Sequence, residues 1–128
     1  MKIDHIGYAV KDVDKAKIAM EALGFLFEPT IVDEDRNVSL AFGELDGYRV
    51  ELVAPLSEDS PVSSLLSKLG PTPYHLCYAS DNLEAEVANL ANKRFKVAIP
   101  PTPAVAFGGK KVVFMYSLAM GLFEIVQR

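Results

Sequence analysis

The sequence predicts an α+β fold in which one β-α-β-β-β module occurs twice. The segment PTPYHLCYAS repeats the early segment KIDHIGYAV seventy positions later, so that His75 corresponds to His5, and the chain has no other histidine. A glutamate in an apolar, strand-like segment closes each half: Glu51 follows His5 by 46 positions and Glu124 follows His75 by 49. A helical pattern follows each histidine segment. Two copies of one module in so short a chain indicate a single pseudo-symmetric domain.

The first module begins with an alternating segment rich in β-branched and aromatic residues, which is typical of a strand. Apolar residues then recur at helical spacing until Gly24, and the Asp46-Gly47 pair indicates a hairpin. The predicted elements are strand Lys2–Val10, a helix capped by Asp12 or Asp14, and strands Phe25–Ile31, Val38–Gly43 and Tyr48–Ala54.

A connector and a second module follow the same plan. Ser60 is the expected N-cap of a short connector helix because Pro61 suits the first helical position, and Gly70 ends this helix. The prolines at 100, 101 and 103 are expected to interrupt strand pairing. The predicted elements are helix Val62–Leu69, strand Tyr74–Ser80, a helix capped by Asn82, and strands Phe95–Ile99, Val112–Tyr116 and Leu122–Gln127.

Length and composition are those of one compact domain. With 128 residues and 50% hydrophobic content, the chain buries enough surface for a single core, which we expect to span 1–128 with modules at about 1–56 and 72–128 and a connector at about 60–70. The net charge of -4 argues against nucleic acid as a partner. Without a leader, a membrane span or a second cysteine for a disulfide, the expected location is the cytoplasm.

Strand alternation predicts where the repeated histidines and glutamates point. Residues two apart share a face of a strand, so His5 lies with small neighbours while bulky residues occupy the opposite face, and the same holds for His75. Glu51 and Glu124 each alternate with large apolar residues. An ionised carboxylate in such a setting is costly unless it is paired or binds a cation.

A metal site is the interpretation that accounts for the positions of all four residues. A lone strand histidine is more often a hydrogen-bonded structural residue, and Glu51 or Glu124 alone would by default pair with Arg49 or Lys111. Two His and two Glu in repeated positions instead form a mixed nitrogen and oxygen ligand set. Such a set suits Zn²⁺, Ni²⁺, Co²⁺ or Mn²⁺ and leaves positions open for a substrate.

The chain resembles the vicinal oxygen chelate superfamily in the segments DHIGYAV, ELVAP, EDSP, PYHLCY and FEIV. This superfamily includes glyoxalase I, methylmalonyl-CoA epimerase, extradiol dioxygenases and the fosfomycin and bleomycin resistance proteins. The resemblance covers essentially the whole chain. It implies the glyoxalase/bleomycin resistance/dihydroxybiphenyl dioxygenase fold, in which paired β-α-β-β-β modules form a curved mixed sheet around one ion. It also places His5, Glu51, His75 and Glu124 at the metal-ligand positions.

The same resemblance implies an activity. A complete His-Glu-His-Glu set favours the glyoxalase and epimerase branch, and ELVAPLSEDSPVSSLLSKLG is most similar to methylmalonyl-CoA epimerase. By this resemblance, Glu124 is both a metal ligand and the base that transfers the proton. The second base of the epimerases is a Glu in the strand before Glu51, a position at which this chain is expected to carry Asp35.

The expected function is therefore metal-dependent proton transfer next to a carbonyl. Glu124 is expected to serve one face of the substrate, and Glu51 or Asp35 the other. The substrate is either the thiol adduct of an α-oxoaldehyde, as for glyoxalase I, or an acyl-CoA, as for the epimerase. The alternatives are a non-catalytic binding or resistance protein of the same fold and an extradiol-type dioxygenase. The resemblance also implies a homodimer.

Overall fold

The computed structural model describes residues 1–128, which form nine strands, three α-helices and one 3₁₀ turn. This confirms the predicted α+β class. None of the helices is long and apolar enough to span a membrane. In chain order the elements are β1 (Lys2–Ala9), α1 (Val13–Glu21), β2 (Leu26–Phe27), β3 (Ile31–Asp33), β4 (Val38–Leu45), β5 (Tyr48–Pro55), α2 (Ser63–Leu69), β6 (Thr72–Ser80), α3 (Leu83–Ala91), β7 (Lys96–Pro103), the 3₁₀ turn Val105–Phe107, β8 (Lys111–Ser117) and β9 (Gly121–Gln127).

The chain divides into two compact units. One contains residues 5–74, and the other contains residues 1–4 together with residues 75–128. The boundary falls inside β1 and inside β6, immediately before His5 and His75. His5 and His75 are therefore the first residues of the two long segments, 5–74 and 75–128.

The unit of residues 5–74 contains a mixed sheet. β1 runs parallel to β5, β5 is antiparallel to β4, and β4 is antiparallel to both β2 and β3. In this register Glu51 lies opposite Gly7 on one side and Phe42 on the other. The two-residue turn at Asp46-Gly47 fixes the β4–β5 register, as the sequence predicts.

The second unit repeats this order of strands. β6 runs parallel to β9, β9 is antiparallel to β8, and β8 is antiparallel to β7. Glu124 lies opposite Cys77 on one side and Phe114 on the other. The equivalence of β1, β5 and β4 with β6, β9 and β8 confirms the predicted duplication of strand order.

One helix covers one face of the sheet in each unit and builds the core there. α1 packs over a cluster that includes Leu52, and α3 packs over a cluster that includes Ile125. Tyr8 and Tyr78 contribute to these clusters from the histidine strands. Because neighbouring residues in a strand point to opposite faces, the histidines and glutamates lie on the face that the helices do not cover.

The helix starts are largely as expected. The side chains of Asp12 and Asn82 accept hydrogen bonds from the backbone N–H groups of Lys15 and Ala85, at 3.0 and 3.1 Å, so both are the predicted N-caps. Ser60 is not the N-cap of α2, and this prediction is wrong. The residue before α2 is Val62, which makes no side-chain capping bond, whereas Ser60 is buried in the preceding turn.

Two strand predictions are also corrected. The predicted strand Phe25–Ile31 is split into β2 and β3, because the segment that carries Pro29 leaves the ladder between them. Conversely, β7 continues through all three prolines to Pro103 instead of ending at Ile99. Its register against β8 shifts twice, and the strand lies exposed, so the missing proline N–H groups leave no buried acceptor unsatisfied.

A close contact between Gly43 and Phe27 gives a test of this packing. A Cβ at Gly43 would overlap the Phe27 ring, since the ring covers the glycine across the β2–β4 pair. We expect Gly43→Ala to lower the free energy of unfolding by roughly 1–3 kcal/mol through overpacking, measured by urea denaturation. Adding Phe27→Leu should recover part of this loss, because the smaller side chain makes room for the methyl group. An equal loss in the single and double variants would contradict the contact.

Candidate metal centre and active site

The first candidate pair is His5 and Glu51. β1 brings His5 and β5 brings Glu51 to the same face, and both side chains are almost completely buried, at 1% and 6% exposure. The Nε2 atom of His5 lies 3.8 Å from Oε1 of Glu51. This separation is longer than a hydrogen bond, but it keeps the carboxylate within the electrostatic reach of the imidazole.

The second candidate pair, His75 and Glu124, occupies the equivalent place in the other unit. β6 and β9 bring the two side chains together, at 5% and 4% exposure. Here Nε2 of His75 lies 3.0 Å from Oε2 of Glu124, which is hydrogen-bonding distance. The structure thus joins each predicted histidine with the predicted glutamate of its own half.

A phenylalanine holds each imidazole in the same way. The ring of Phe42 meets His5 edge-on at 5.5 Å between centroids and 73°, and the ring of Phe114 meets His75 at 5.3 Å and 88°. Each phenylalanine is also the strand partner opposite the glutamate of that pair. Such edge-to-face contacts restrict ring rotation, so each imidazole is oriented before any ligand binds.

Sequence reasoning did not identify these two phenylalanines. For Phe42 a signal was present: the Asp46-Gly47 hairpin fixes the antiparallel register, and this register sets Phe42 opposite Glu51. For Phe114 the turn between β8 and β9 is longer and carries no equally specific dipeptide. Counting strand partners outward from the hairpin would have found the first of the two contacts.

The donor atoms of both pairs fit a divalent metal ion. Each pair offers one imidazole nitrogen and carboxylate oxygens on a buried face, a combination that borderline ions such as Zn²⁺ and Ni²⁺ accept. A buried carboxylate is costly to desolvate, and the attraction of one imidazole offsets this cost only in part. A cation would compensate both carboxylates, so the chemistry of the residues present agrees with the predicted cofactor.

Asp35 does not lie where the sequence comparison placed it. It was expected in the strand before Glu51, but it lies exposed in the turn between β3 and β4, before β4 begins at Val38. Val38 pairs with Pro55, four residues beyond Glu51, which corresponds to about 13 Å along the strand. The structure therefore does not bring Asp35 to Glu51. On β4, Phe42 is the strand partner of Glu51, and Leu40 and Glu44 lie two residues to either side of Phe42 on the same face.

Comparisons with known proteins bear on the family of the chain. Residues 4–114 match the family model described as the glyoxalase/bleomycin resistance protein/dioxygenase superfamily. The chain is 31% identical to the uncharacterized protein YqjC of Bacillus subtilis over 117 residues, which covers 89% of this chain and 81% of YqjC. It is 28% identical to mitochondrial methylmalonyl-CoA epimerase of Mus musculus over 130 residues, covering 98% of this chain and 72% of the relative.

A solved structure extends the comparison to three dimensions. A variant of Streptomyces coelicolor methylmalonyl-CoA epimerase in complex with 2-nitronate-propionyl-CoA superposes with a TM-score of 0.86 at 27% identity. The match covers 99% of this chain and 94% of that one. The predicted fold is therefore confirmed by a protein of the same architecture.

The burial of the His75–Glu124 pair leads to a prediction about the stability of the fold. In protein treated with chelator, the double substitution His75→Leu with Glu124→Leu is expected to leave the free energy of unfolding unchanged or to raise it by up to about 4 kcal/mol. The reason is that apolar residues of similar volume remove the desolvation cost of the buried polar pair. Urea denaturation with circular dichroism measures this. A clear loss of stability would show instead that the pair is a structural element in its own right.

Proposed function

Because the chain belongs to the glyoxalase/bleomycin resistance protein/dioxygenase superfamily, we propose that it is a metal-dependent isomerase or lyase that transfers a proton next to a carbonyl. The observation that supports this best is the repeated setting of the two His–Glu pairs, each buried and each held by a phenylalanine edge. Curated relatives that match nearly the whole chain are methylmalonyl-CoA epimerases.

We propose that His5, Glu51, His75 and Glu124 are the ligands of one divalent ion, either Zn, Ni, Co or Mn. When bound, this ion would act as a Lewis acid on the substrate oxygen next to the reacting carbon. The support is that the ligand types match such ions, that the residues recur in equivalent places of the two units, and that all four are buried.

The two glutamates have the chemistry for the proton transfer itself. We propose that Glu124 removes the proton from the carbon next to the carbonyl and that Glu51 serves the opposite face of that carbon. Three carboxylates are buried in the chain, and the third, Asp33, accepts the backbone N–H of Arg36 within the β3–β4 turn. Glu51 is therefore a better second base than Asp35, which is exposed beyond the end of the strand pair.

The proposed substrate is a thioester of the acyl-CoA class. The support is the similarity to epimerases named for methylmalonyl-CoA and to a structure that holds 2-nitronate-propionyl-CoA. A glyoxalase I-type isomerisation of a thiol adduct is the second candidate, because the same pair of glutamates would serve it. A cytoplasmic location and a homodimer stay predictions from the sequence.

Metal content tests the proposed ligand set. Protein purified without chelator is expected to carry about one equivalent of Ni, Co, Zn or Mn by elemental mass spectrometry, and His5→Ala with His75→Ala should lose it. Asp33→Asn is the control, because Asp33 is a buried potential ligand whose carboxylate instead accepts the backbone N–H of Arg36 in the β3–β4 turn. If no metal were retained, and none bound when supplied, a non-catalytic binding protein would become the leading interpretation.

Isotope exchange tests the two bases. With methylmalonyl-CoA in deuterated water, Glu124→Gln should slow exchange of the acidic proton by about 10²- to 10⁴-fold, the usual contribution of a positioned base. Glu51→Gln should suppress inversion of configuration but still permit exchange with retention, since Glu124 remains. Chiral analysis of the product and mass spectrometry of the label distinguish these outcomes. Glutamine keeps one oxygen that can bind the metal ion. Metal content must be measured in each variant, so that the loss of a base is distinguished from the loss of the ion.

Asp35→Asn completes the same experiment. Because Asp35 lies in an exposed turn, we expect this substitution to change neither exchange nor inversion by more than about twofold. A loss of inversion in Asp35→Asn, together with normal inversion in Glu51→Gln, would assign the second base to Asp35. A parallel assay with a hemithioacetal as the substrate identifies a glyoxalase-type isomerase. An assay of oxygen consumption identifies a dioxygenase.

A further inference from the structure

The turn that joins β8 and β9 carries apolar side chains that the rest of the chain leaves uncovered. Leu118 is fully exposed, at 101%, and Met120 is exposed by 53%. The hydroxyl of Ser117 accepts the backbone N–H of Met120 at 3.2 Å, so the turn is held in one shape. Leu122 follows on β9 and is exposed by 38%. Exposed apolar side chains that are grouped on a fixed turn indicate a contact surface.

Basic side chains lie beside this turn. The pairing of Lys96 with Tyr116 brings the start of β7 alongside the end of β8, and Lys93 and Arg94 precede Lys96 in the chain. All three basic residues are exposed. The group as a whole therefore combines an apolar tip with positive charge. We refer to it as the basic turn surface, which consists of Lys93, Arg94, Lys96, Leu118, Met120 and Leu122.

The equivalent hairpin in the unit of residues 5–74 is acidic and lies beside a cavity. Its turn is Asp46-Gly47, where the second unit has residues 118–120. The cavity has a volume of about 470 Å³, which is within the range of sites that hold small molecules and is ample for a few apolar side chains. We refer to it as the acidic cavity, whose wall includes the apolar residues Leu26, Phe42 and Leu45 and the acidic residues Glu28, Glu44 and Asp46.

The charges of the two surfaces are complementary. No ion pair within the chain involves any of the charged side chains that define them, namely Lys93, Arg94, Lys96, Glu28, Glu44 and Asp46. Arg49, the one cation of the cavity wall, is half-buried and stacks on the Phe42 ring at 3.9 Å. The same contrast holds for whole units, since residues 5–74 contain 12 acidic and 6 basic residues and the remaining residues contain 5 acidic and 7 basic. Such complementarity favours contact between unlike surfaces of two copies.

We propose that the basic turn surface of one copy docks into the acidic cavity of a second copy of the chain. Leu118 enters the apolar part of the cavity, and the exposed lysines and arginine face the carboxylates of its wall. The family resemblance implies a homodimer without saying which surfaces meet. This inference assigns those surfaces and does not depend on the proposed reaction. Because two unlike surfaces meet, the assembly is a closed pair if both contacts form at once and an open chain if they do not.

Phe42 gives this contact a consequence for the candidate metal centre. Its ring lies in the wall of the acidic cavity, and the same ring meets the imidazole of His5 edge-on. A docked copy would therefore contribute Leu118 to a wall that shares a side chain with the setting of the His5–Glu51 pair. Docking would replace water in that cavity by an apolar side chain.

Sedimentation velocity tests the proposal on the unchanged protein. The weight-average size is expected to rise with concentration between about 1 and 100 μM, as for a small interface. The rise should be weaker at about 1 M salt, where the Debye length is about 3 Å. Leu118→Ala should weaken association about 10- to 100-fold, as for a central apolar anchor. Leu69→Ala is the matched control, because Leu69 is also exposed, at 68%, but lies at the end of α2 outside both surfaces.

Charge reversal tests which surfaces meet. Lys93→Glu with Lys96→Glu, and separately Glu28→Lys with Glu44→Lys, should each weaken association by at least about tenfold, since like charges then face each other. The chain that carries all four substitutions should recover association. Its net charge is that of the unchanged protein, so net charge alone cannot explain the recovery. Circular dichroism reports whether each variant is folded, and little loss of stability is expected because all of the substituted residues are exposed.

Cross-linking identifies the residues in contact. A photo-activatable phenylalanine analogue in place of Leu118 should label residues of the acidic cavity, above all Leu26 and Leu45. Mass spectrometry of mixed isotope-labelled and unlabelled copies shows that the label joins two chains. The proposal is wrong if the protein is a monomer at every concentration, or if the cross-links fall outside the cavity. It is also wrong if Leu118→Ala and the charge reversals leave an oligomer unchanged, because that oligomer then uses another surface.

Discussion

The burial of a carboxylate between two core side chains is the constraint on which the rest of this structure depends. Glu51 stands between Val50 and Leu52 in β5, and Glu124 stands between Phe123 and Ile125 in β9. A shift of either strand by one residue would move the carboxylate into the core and expose its apolar neighbours. The helices that cover the core face therefore also hold the glutamates on the opposite face, so packing and site geometry are specified together.

The sequence predicted those features that depend on neighbouring residues, and it failed where distant contacts decide. The His and Glu positions followed from alternation within single strands, and the caps Asp12 and Asn82 from local side-chain chemistry. The prolines of β7 were misjudged because their tolerance depends on the strand being exposed, which no local pattern reveals. Asp35 was misplaced because aligning a short motif cannot tell where a turn ends and a strand begins.

The two units show which parts of a duplicated site stay alike. The side chains nearest the proposed ion are the same in both copies, down to the edge-on phenylalanine. The residues two positions before each glutamate differ, because Arg49 precedes Glu51 and Leu122 precedes Glu124. A symmetric inner set suits an ion that has no preferred direction, whereas a substrate with two unlike ends needs an asymmetric surround.

The division of the chain has a consequence for how it folds. The unit of residues 5–74 is continuous, so it forms from contacts that are local within one stretch of chain. The other unit requires residues 1–4, and Arg128 reaches back to the carboxylate of Asp4 across 124 positions. Contacts so distant in sequence are slow to close. During synthesis the His5–Glu51 pair would therefore assemble while the last strands are still being made, and the emerging chain would expose that pair before its counterpart exists.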